Sequence, residues 1–296
     1  MSTTDSPTDD FVAHRNLLFT VAYEMLGSAA DAEDVLQETW LRWADVAREE
    51  VRDPRAYLVR VVTRQSLNKL RGNARRREDY VGPWLPEPLL TAPDVADDVV
   101  LADSVSTAML LVLETLPPVE RAVFVLREVF AVEYDEIAAA VDKSPAAVRQ
   151  IAHRARSHVE ARRPRNEVSR DFAEQVFQRF IAAAATGDLQ GLMDVLAPDV
   201  VLITDGGGKK SSALRPIVGA EKVLRFLAGV YDLSSKVDVV TVNGTPALRL
   251  ELAGELEAVV TFTVNGGVIT DAYVVRNPDK LGRLGAAVEL AREVTR

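Results

Sequence analysis

Apolar residues recur at helical spacing through the first half of the chain and at strand spacing through much of the second. The clearest helical period is Ala32, Val35, Leu36, Thr39, Trp40 and Trp43, which predicts a helix from about Ala29 to Ala47 with one buried face. Before it, Phe11 to Gly27 reads as a helix closed by glycine. Ser28 stands where an N-cap belongs, with Asp31 three residues on. Met1 to Asp10 is polar and acidic and reads as a frayed tail. Asp53-Pro54 breaks the chain, and a long helix is expected from about Arg55 to Arg76. Helical patterning returns from Val99 to about Ala161, and Pro164 ends it. Between these stretches, residues 81–98 hold Pro83, Pro86, Pro88 and Pro93 and read as an acidic linker. Its Trp84 and Leu85, held in a proline-rich strand, need a surface to dock on.

From Glu167 the period changes. Helices are expected at about Val168 to Thr186, Leu189 to Leu196 and Ala220 to Val230. Val- and Thr-rich runs at Val200–Thr204, Val237–Val242, Ala247–Leu252, Ala258–Val264 and Val268–Val275 read as strands. The chain is therefore multidomain: all-α segments followed by one small α+β domain.

Composition narrows the partners. The chain has 296 residues and no cysteine, which excludes disulfides, thiolate catalysis and Cys-ligated zinc. No metal site and no cofactor is expected. No run approaches ~20 apolar residues, so no membrane partner is expected, and the N-terminus lacks the features of a secretory signal. A cytoplasmic location fits. Net charge is -9, but it is segregated. Eleven acids against three arginines leave -8 over residues 1–51, while nine cations against Asp53 leave +8 over residues 52–77.

On the long helix, Arg60, Arg64, Asn68, Arg71 and Arg75 fall on one stripe, with Arg76 beside them. Val59, Val62, Ser66 and Leu70 line the opposite stripe. No acid interrupts the row before Glu78, and unrelieved like charge suits a polyanion; a merely solvated basic face is the alternative. The second basic stretch is framed differently. Tyr134 to Val141 forms a short helix, Asp142-Lys143-Ser144-Pro145 a turn, and the next helix buries Val148, Ile151, Ala152, Ala155 and Val159. It exposes Arg149, Gln150, His153, Arg154 and Arg156. That is a helix-turn-helix pattern, whose second helix can read base edges in the major groove. Asp142 replaces the usual turn glycine and tolerates left-handed backbone. His158 reads as a surface histidine.

Asp31 to Arg42 resembles the polymerase-binding helix of region 2 in extracytoplasmic-function (group 4, sigma-70 family) sigma factors. Leu116 to Arg127, Tyr134 to Ala138 and His153 to Arg156 resemble their region 4. Trp84 to Pro88, Asp205-Gly206-Gly207-Gly208-Lys209 and Asn277-Pro278-Asp279-Lys280 look like the subgroup with a C-terminal SnoaL-like domain, which implies an NTF2-like cone. The resemblance implies domains at 11–80 (region 2), 81–98 (linker), 99–163 (region 4) and 167–296 (SnoaL-like). It implies that Asp34, Gln37, Glu38 and Leu41 face the clamp of the largest subunit of core RNA polymerase. It assigns Arg60, Arg64, Asn68, Arg71, Arg75 and Arg76 to the -10 element of promoter DNA, and Arg149, Gln150, His153, Arg154 and Arg156 to the -35 element. Trp84, Leu85, Pro86, Glu87, Pro88, Asp205, Gly206, Gly207, Gly208, Lys209, Asn277, Pro278, Asp279 and Lys280 are expected at interdomain contacts that both restrain and support activity.

SnoaL-like cones also house small-molecule pockets. No histidine follows His158 and no cysteine is present, so acid–base candidates shrink to carboxylates, Tyr231 and Tyr273. Asp205 opens a glycine triplet and reads more simply as a turn; Tyr273 reads as core with its hydroxyl at a pocket mouth. No catalytic residue is assigned. A regulatory tail is the favoured reading; a tail that binds an unknown small ligand or retains cyclase-like activity stays open, as does a DNA-binding regulator that works without polymerase.

Overall fold

A computed structural model of the chain describes residues 7–47, 51–92, 95, 98–163, 169–230 and 236–293. The chain divides into two compact units. One comprises Met1–Glu78, Thr91–Arg163 and Val288–Arg296; the other comprises Asp79–Leu90 and Pro164–Ala287. This division departs from the sequence expectation at three places, the first being that the helical domains expected separately at 11–80 and 99–163 fall in one unit. Most of the linker belongs with the sheet domain, and the last residues belong with the helices.

The first unit is all helical. α1 (Pro7–Leu26) starts inside the segment expected to fray, because Pro7 suits a first turn and Asp9 and Asp10 suit its positive end. It closes at Gly27, whose φ of 65° is left-handed and whose N–H donates to the Tyr23 carbonyl at 2.7 Å. Ser28 then caps α2 (Ala29–Ala44) by accepting from the Asp31 amide. The predicted face of α2 is buried through Ala32, Val35, Leu36, Thr39 and Trp43. Phe11 meets Trp40 edge-on at 5.2 Å, and Trp43 meets Tyr57 at 5.6 Å. α3 (Pro54–Glu78) buries Val59, Val62, Ser66 and Leu70, as its spacing predicts.

Five further helices follow: α4 (Val99–Val105), α5 (Thr107–Glu114), α6 (Pro118–Phe124), α7 (Tyr134–Val141) and α8 (Pro145–Glu160). A π-turn over Val125–Val129 extends α6. α3 packs on α6 and α7, so the first three helices and the last five share one body. Arg121 pins them together. It is 4% exposed, and its Nη1 donates to the Met25 carbonyl at the end of α1 and to Glu114 Oε1, both at 2.9 Å. Burial lowers its guanidinium to about 10. Arg77 adds a second link, pairing with Glu114 and donating to the Leu26 carbonyl.

The second unit is a six-stranded mixed sheet with helices on it. The elements are α9 (Arg170–Thr186), α10 (Leu189–Val195), β1 (Leu196–Asp205), β2 (Ile217–Val218), α11 (Ala220–Val230), β3 (Lys236–Val242), β4 (Thr245–Leu252), β5 (Glu255–Asn265), β6 (Val268–Val275) and α12 (Pro278–Leu281). Strand order is β2-β1-β6-β5-β4-β3, with only the β1–β6 pair parallel. Three two-residue turns join β3 to β6; Asn243-Gly244, with φ of 52° and 71°, is the first. The core lies between sheet and helices and includes Val176, Phe177, Phe180, Val200, Leu202 and Val223. Phe262 packs into it, 5.7 Å from Phe177 and 5.1 Å from Phe180. Among the described residues, no helix is long and apolar enough to cross a membrane.

Candidate functional site

Three side-chain groups merit a functional reading. The first is the α7–α8 corner. α7 ends on Asp142 with φ 55° and ψ 56°, the left-handed step that the turn requires. Ser144 caps α8 by accepting from Ala147 N, and Pro145 occupies the first turn. Val148, Ile151, Ala152, Ala155 and Val159 are buried, which leaves Arg149, Gln150, His153, Arg154 and Arg156 all exposed. Within this unit Arg156 pairs with Glu128 at 2.6 Å and Arg154 with Glu120 at 3.3 Å. Such exposed pairs are weak and exchangeable, about 1 kcal/mol or less. Arg149 lies over the Tyr134 ring at 5.4 Å. His158 is not idle: its Nε2 shares a 2.7 Å hydrogen bond with the Thr115 hydroxyl.

The second group spans α2 and α3. Leu41 is 59% exposed beside exposed Asp34, Gln37 and Glu38. Asp34 pairs with Lys69 at 2.8 Å, and Glu38 accepts from Gln65 at 2.9 Å. On α3 the arginine row is not the uninterrupted open stripe its spacing predicts. Arg64 donates to the Ala139 carbonyl at 2.8 Å and the Ala140 carbonyl at 3.3 Å, at the C-terminal end of α7. Arg60 sits 5.2 Å over the Tyr57 ring, and Arg71 donates to Asn68 at 3.3 Å. The side chains of Arg75 and Arg76 lie outside the described residues, as does Tyr231. A groove of about 420 Å³ runs beside this row, lined by Arg42, Asp45, Tyr57, Arg60, Arg64 and Gln65. A second, of about 680 Å³, shares Tyr57 and Arg60 and adds Arg52 and Glu136.

The third group is the linker-docking site within the sheet unit, and Asp205 is its hub. Asp205 is fully buried at the end of β1, not in an exposed turn. Its carboxylate accepts from Tyr80 Oη at 2.6 Å, Leu85 N at 2.9 Å, Lys280 Nζ at 2.7 Å and Gly207 N at 3.1 Å. Lys280 also donates to the Leu85 carbonyl at 2.5 Å and lies 4.2 Å from the Trp84 ring centre. Asn277 donates to Tyr80 Oη at 2.8 Å. Burial first, then the Asp205 carboxylate, pushes the Tyr80 hydroxyl well above its ordinary value, so it stays a donor. Leu85 and Leu89 are buried, each contributing about 2 kcal/mol of apolar transfer. Pro86, Glu87 and Pro88 are buried with them.

Backbone geometry explains the glycines. Gly207 has φ 58°, and a Cβ there would collide with the Asn277 amide; one at Gly206 would strike the Lys210 carbonyl. Gly208 lies against Val81. Lys209 pairs with Asp279 at 2.6 Å, and Pro278 opens α12. The three motifs, far apart in sequence, thus meet at one place. Sequence reasoning missed two participants. Tyr80 lies one residue outside the expected linker, and the Asn243 Oδ1 accepts from Leu89 N while its backbone N–H donates to the Leu89 carbonyl, both at 2.9 Å. The Asn-Gly pair between two strand-like runs was the available signal. Tyr273 is core, as expected, 6% exposed with its hydroxyl 3.5 Å from Thr263.

One buried carboxyl in the helical unit is unusual. Glu24 on α1 is 1% exposed, accepts from Ser104 at 2.8 Å, and leaves Oε2 without a partner. Burial pushes it up to about 8, against the lowering effects of Ser104 and Arg292, with Asp103 adding to the rise. A raised acid keeps its proton in the folded chain. Its stability contribution is therefore full below the unfolded value near 4.5 and falls as pH rises toward about 8. The stability of the helical unit is expected to fall by up to about 1.4 kcal/mol per pH unit over that window. Glu24→Gln should flatten the profile; an unchanged slope would assign it to other groups.

Comparison with known proteins gives the family. The models for Sigma-70 region 2, Sigma-70 region 4 and the SnoaL-like domain match residues 11–76, 106–159 and 177–279. The ECF RNA polymerase sigma factor SigJ of Mycobacterium tuberculosis is 40% identical over 287 residues, 92% of this chain and 92% of that protein. The probable ECF RNA polymerase sigma factor SigI of the same species is 32% identical over 290 residues, 97% of this chain and 98% of that protein. The crystal structure of M. tuberculosis SigJ superposes with a TM-score of 0.75 at 35% identity, covering 94% of this chain and 99% of that one.

Proposed function

The chain belongs to the extracytoplasmic-function RNA polymerase sigma factors, and from that premise we propose how its surfaces share the work of promoter-specific initiation. The outer face of α2, with Asp34, Gln37, Glu38 and Leu41, engages the clamp of core RNA polymerase in the cytoplasm. An exposed leucine ringed by polar groups suits a protein partner, and the Lys69 and Gln65 contacts hold two of the acids ready. The α3 face, with Arg60, Arg64, Asn68, Arg71, Arg75 and Arg76, takes the -10 element. Tyr57 and Arg60 in the adjoining groove offer a stacking surface to an unpaired base.

The α8 face reads the -35 element, and the observation that carries this assignment is the α7–α8 corner itself. Its left-handed Asp142, capping Ser144 and buried inner face leave five polar side chains that the core does not use. Arg149→Ala is expected to relax selection at one base pair of the upstream element, by about 1–3 kcal/mol, in a randomised-promoter selection. A uniform loss across all sequences would instead make Arg149 a phosphate contact.

The SnoaL-like domain regulates and does not catalyse. Phe177, Phe180 and Phe262 pack together between sheet and helices, and this filled aromatic core supports the reading. The motif residues from Trp84 to Lys280 serve to seize the linker between the two promoter-reading regions.

A further inference from the structure

β3 is the last strand of the six-stranded sheet, so one of its sides is an edge. The linker covers that edge only at its C-terminal end, where Leu90 bridges to Val242 and the Leu89 carbonyl accepts from the Asn243 N–H. Among the described residues, no strand lies along Lys236 to Val240 on that side. The alternation that starts from the Val242–Thr245 pair at the two-residue turn points the backbone N–H and C=O groups of Val237 and Val239 away from β4. They are placed to receive a further strand.

Both faces of this edge suit a second copy of the chain. On the core face, Val237 and Val239 lie opposite Leu250 and Leu248 of the buried core, yet they remain 42% and 53% exposed. On the other face the charges alternate. Lys236 stands opposite Glu251 and Asp238 opposite Arg249, and Lys236–Asp238 and Arg249–Glu251 each pair along their own strand at 2.7 Å. An antiparallel copy of β3 centred on Val237 sets the partner's Asp238 opposite Lys236 and the partner's Lys236 opposite Asp238. The alternation of sign then runs unbroken across four strands. Centring on Asp238 would set two like charges face to face. Centring on Val239 would drive the copy into the linker at Leu90.

We propose that the open edge of β3 is a self-association surface, on which two copies of this chain join their sheets antiparallel about Val237. Sedimentation velocity of the full chain, from roughly 1 to 500 µM, is expected to pass from one chain to two as concentration rises. Val237→Pro removes only an outward N–H, so it should leave the fold intact and raise the dissociation constant at least tenfold. Val237→Lys keeps the backbone and should do the same by like charge, and it decides the matter if the proline variant fails to melt cooperatively. The chain has no cysteine, so a single introduced thiol reports the register. Two copies of Val237→Cys would face each other with Cα atoms about 5.5 Å apart, within disulfide reach, and mild oxidation should join them. Two copies of Val239→Cys would lie more than about 13 Å apart and should stay separate. A chain that remains single at every concentration overturns the proposal and leaves the edge to an extended segment of another protein. Pairing that survives both Val237 substitutions, or cross-linking as strong at Val239→Cys as at Val237→Cys, also overturns it.

Discussion

Asp205→Ala is expected to destabilise the sheet unit by about 3–5 kcal/mol and to free the Trp84–Pro88 segment. The magnitude follows from what is left behind. Lys280 is 7% exposed and would lose the Asp205 carboxylate, while Tyr80 Oη and Leu85 N would lose their acceptor. Removing one member of a buried pair costs far more than the pair itself contributes. Asp205→Ala combined with Lys280→Met should therefore recover much of the loss. Melting of the four proteins of this cycle, with limited proteolysis across residues 79–90, checks both parts. A loss below about 1 kcal/mol in the single variant, or no recovery in the double, would remove the ion pair from its place as the organising contact.

Arg121→Ala should have the next largest effect, about 3 kcal/mol or more on the helical unit. The side chain holds the Met25 carbonyl of α1 and Glu114 of α5 from α6, so its loss loosens the first three helices from the last five. Arg121→Lys keeps a charge but not a planar fork and should recover only part of the stability. Urea unfolding monitored by the Trp40 and Trp43 fluorescence reads the cost. Because the same contact ties α6 to α1 and α5, faster amide exchange in the neighbouring α3 should accompany it.

Local rules made much of this legible in the sequence. Ser28, Ser144 and Asp142 could be assigned their backbone roles because capping and left-handed turns depend on a few neighbouring residues. The strands were visible as Val- and Thr-rich runs, although the ends of β1 and β5 extend beyond the apolar stretch because hydrogen-bonded partners carry them. What escaped depends on tertiary placement. Arg64 looks like its neighbours until α7 is docked against it. Tyr80 has ordinary surroundings in sequence, and Asn243 shows there only as a turn residue; both acquire their roles when the linker lies along the sheet domain. Residues 288–292 are too short and irregular to show a period, so nothing in their spacing assigns them to the helices.

The regulatory reading joins these parts. The Asp205 hub fixes the linker, and Arg121 and residues 288–292 tie the helices together. Run-off transcription with purified core RNA polymerase on a pool of promoter fragments tests this most directly, comparing the full chain with versions ending before Asn277 and before Glu167. The account predicts promoter-dependent transcripts from at least one version, with output that changes as the tail is removed. Failure of every version to initiate, with each confirmed as folded, would contradict it.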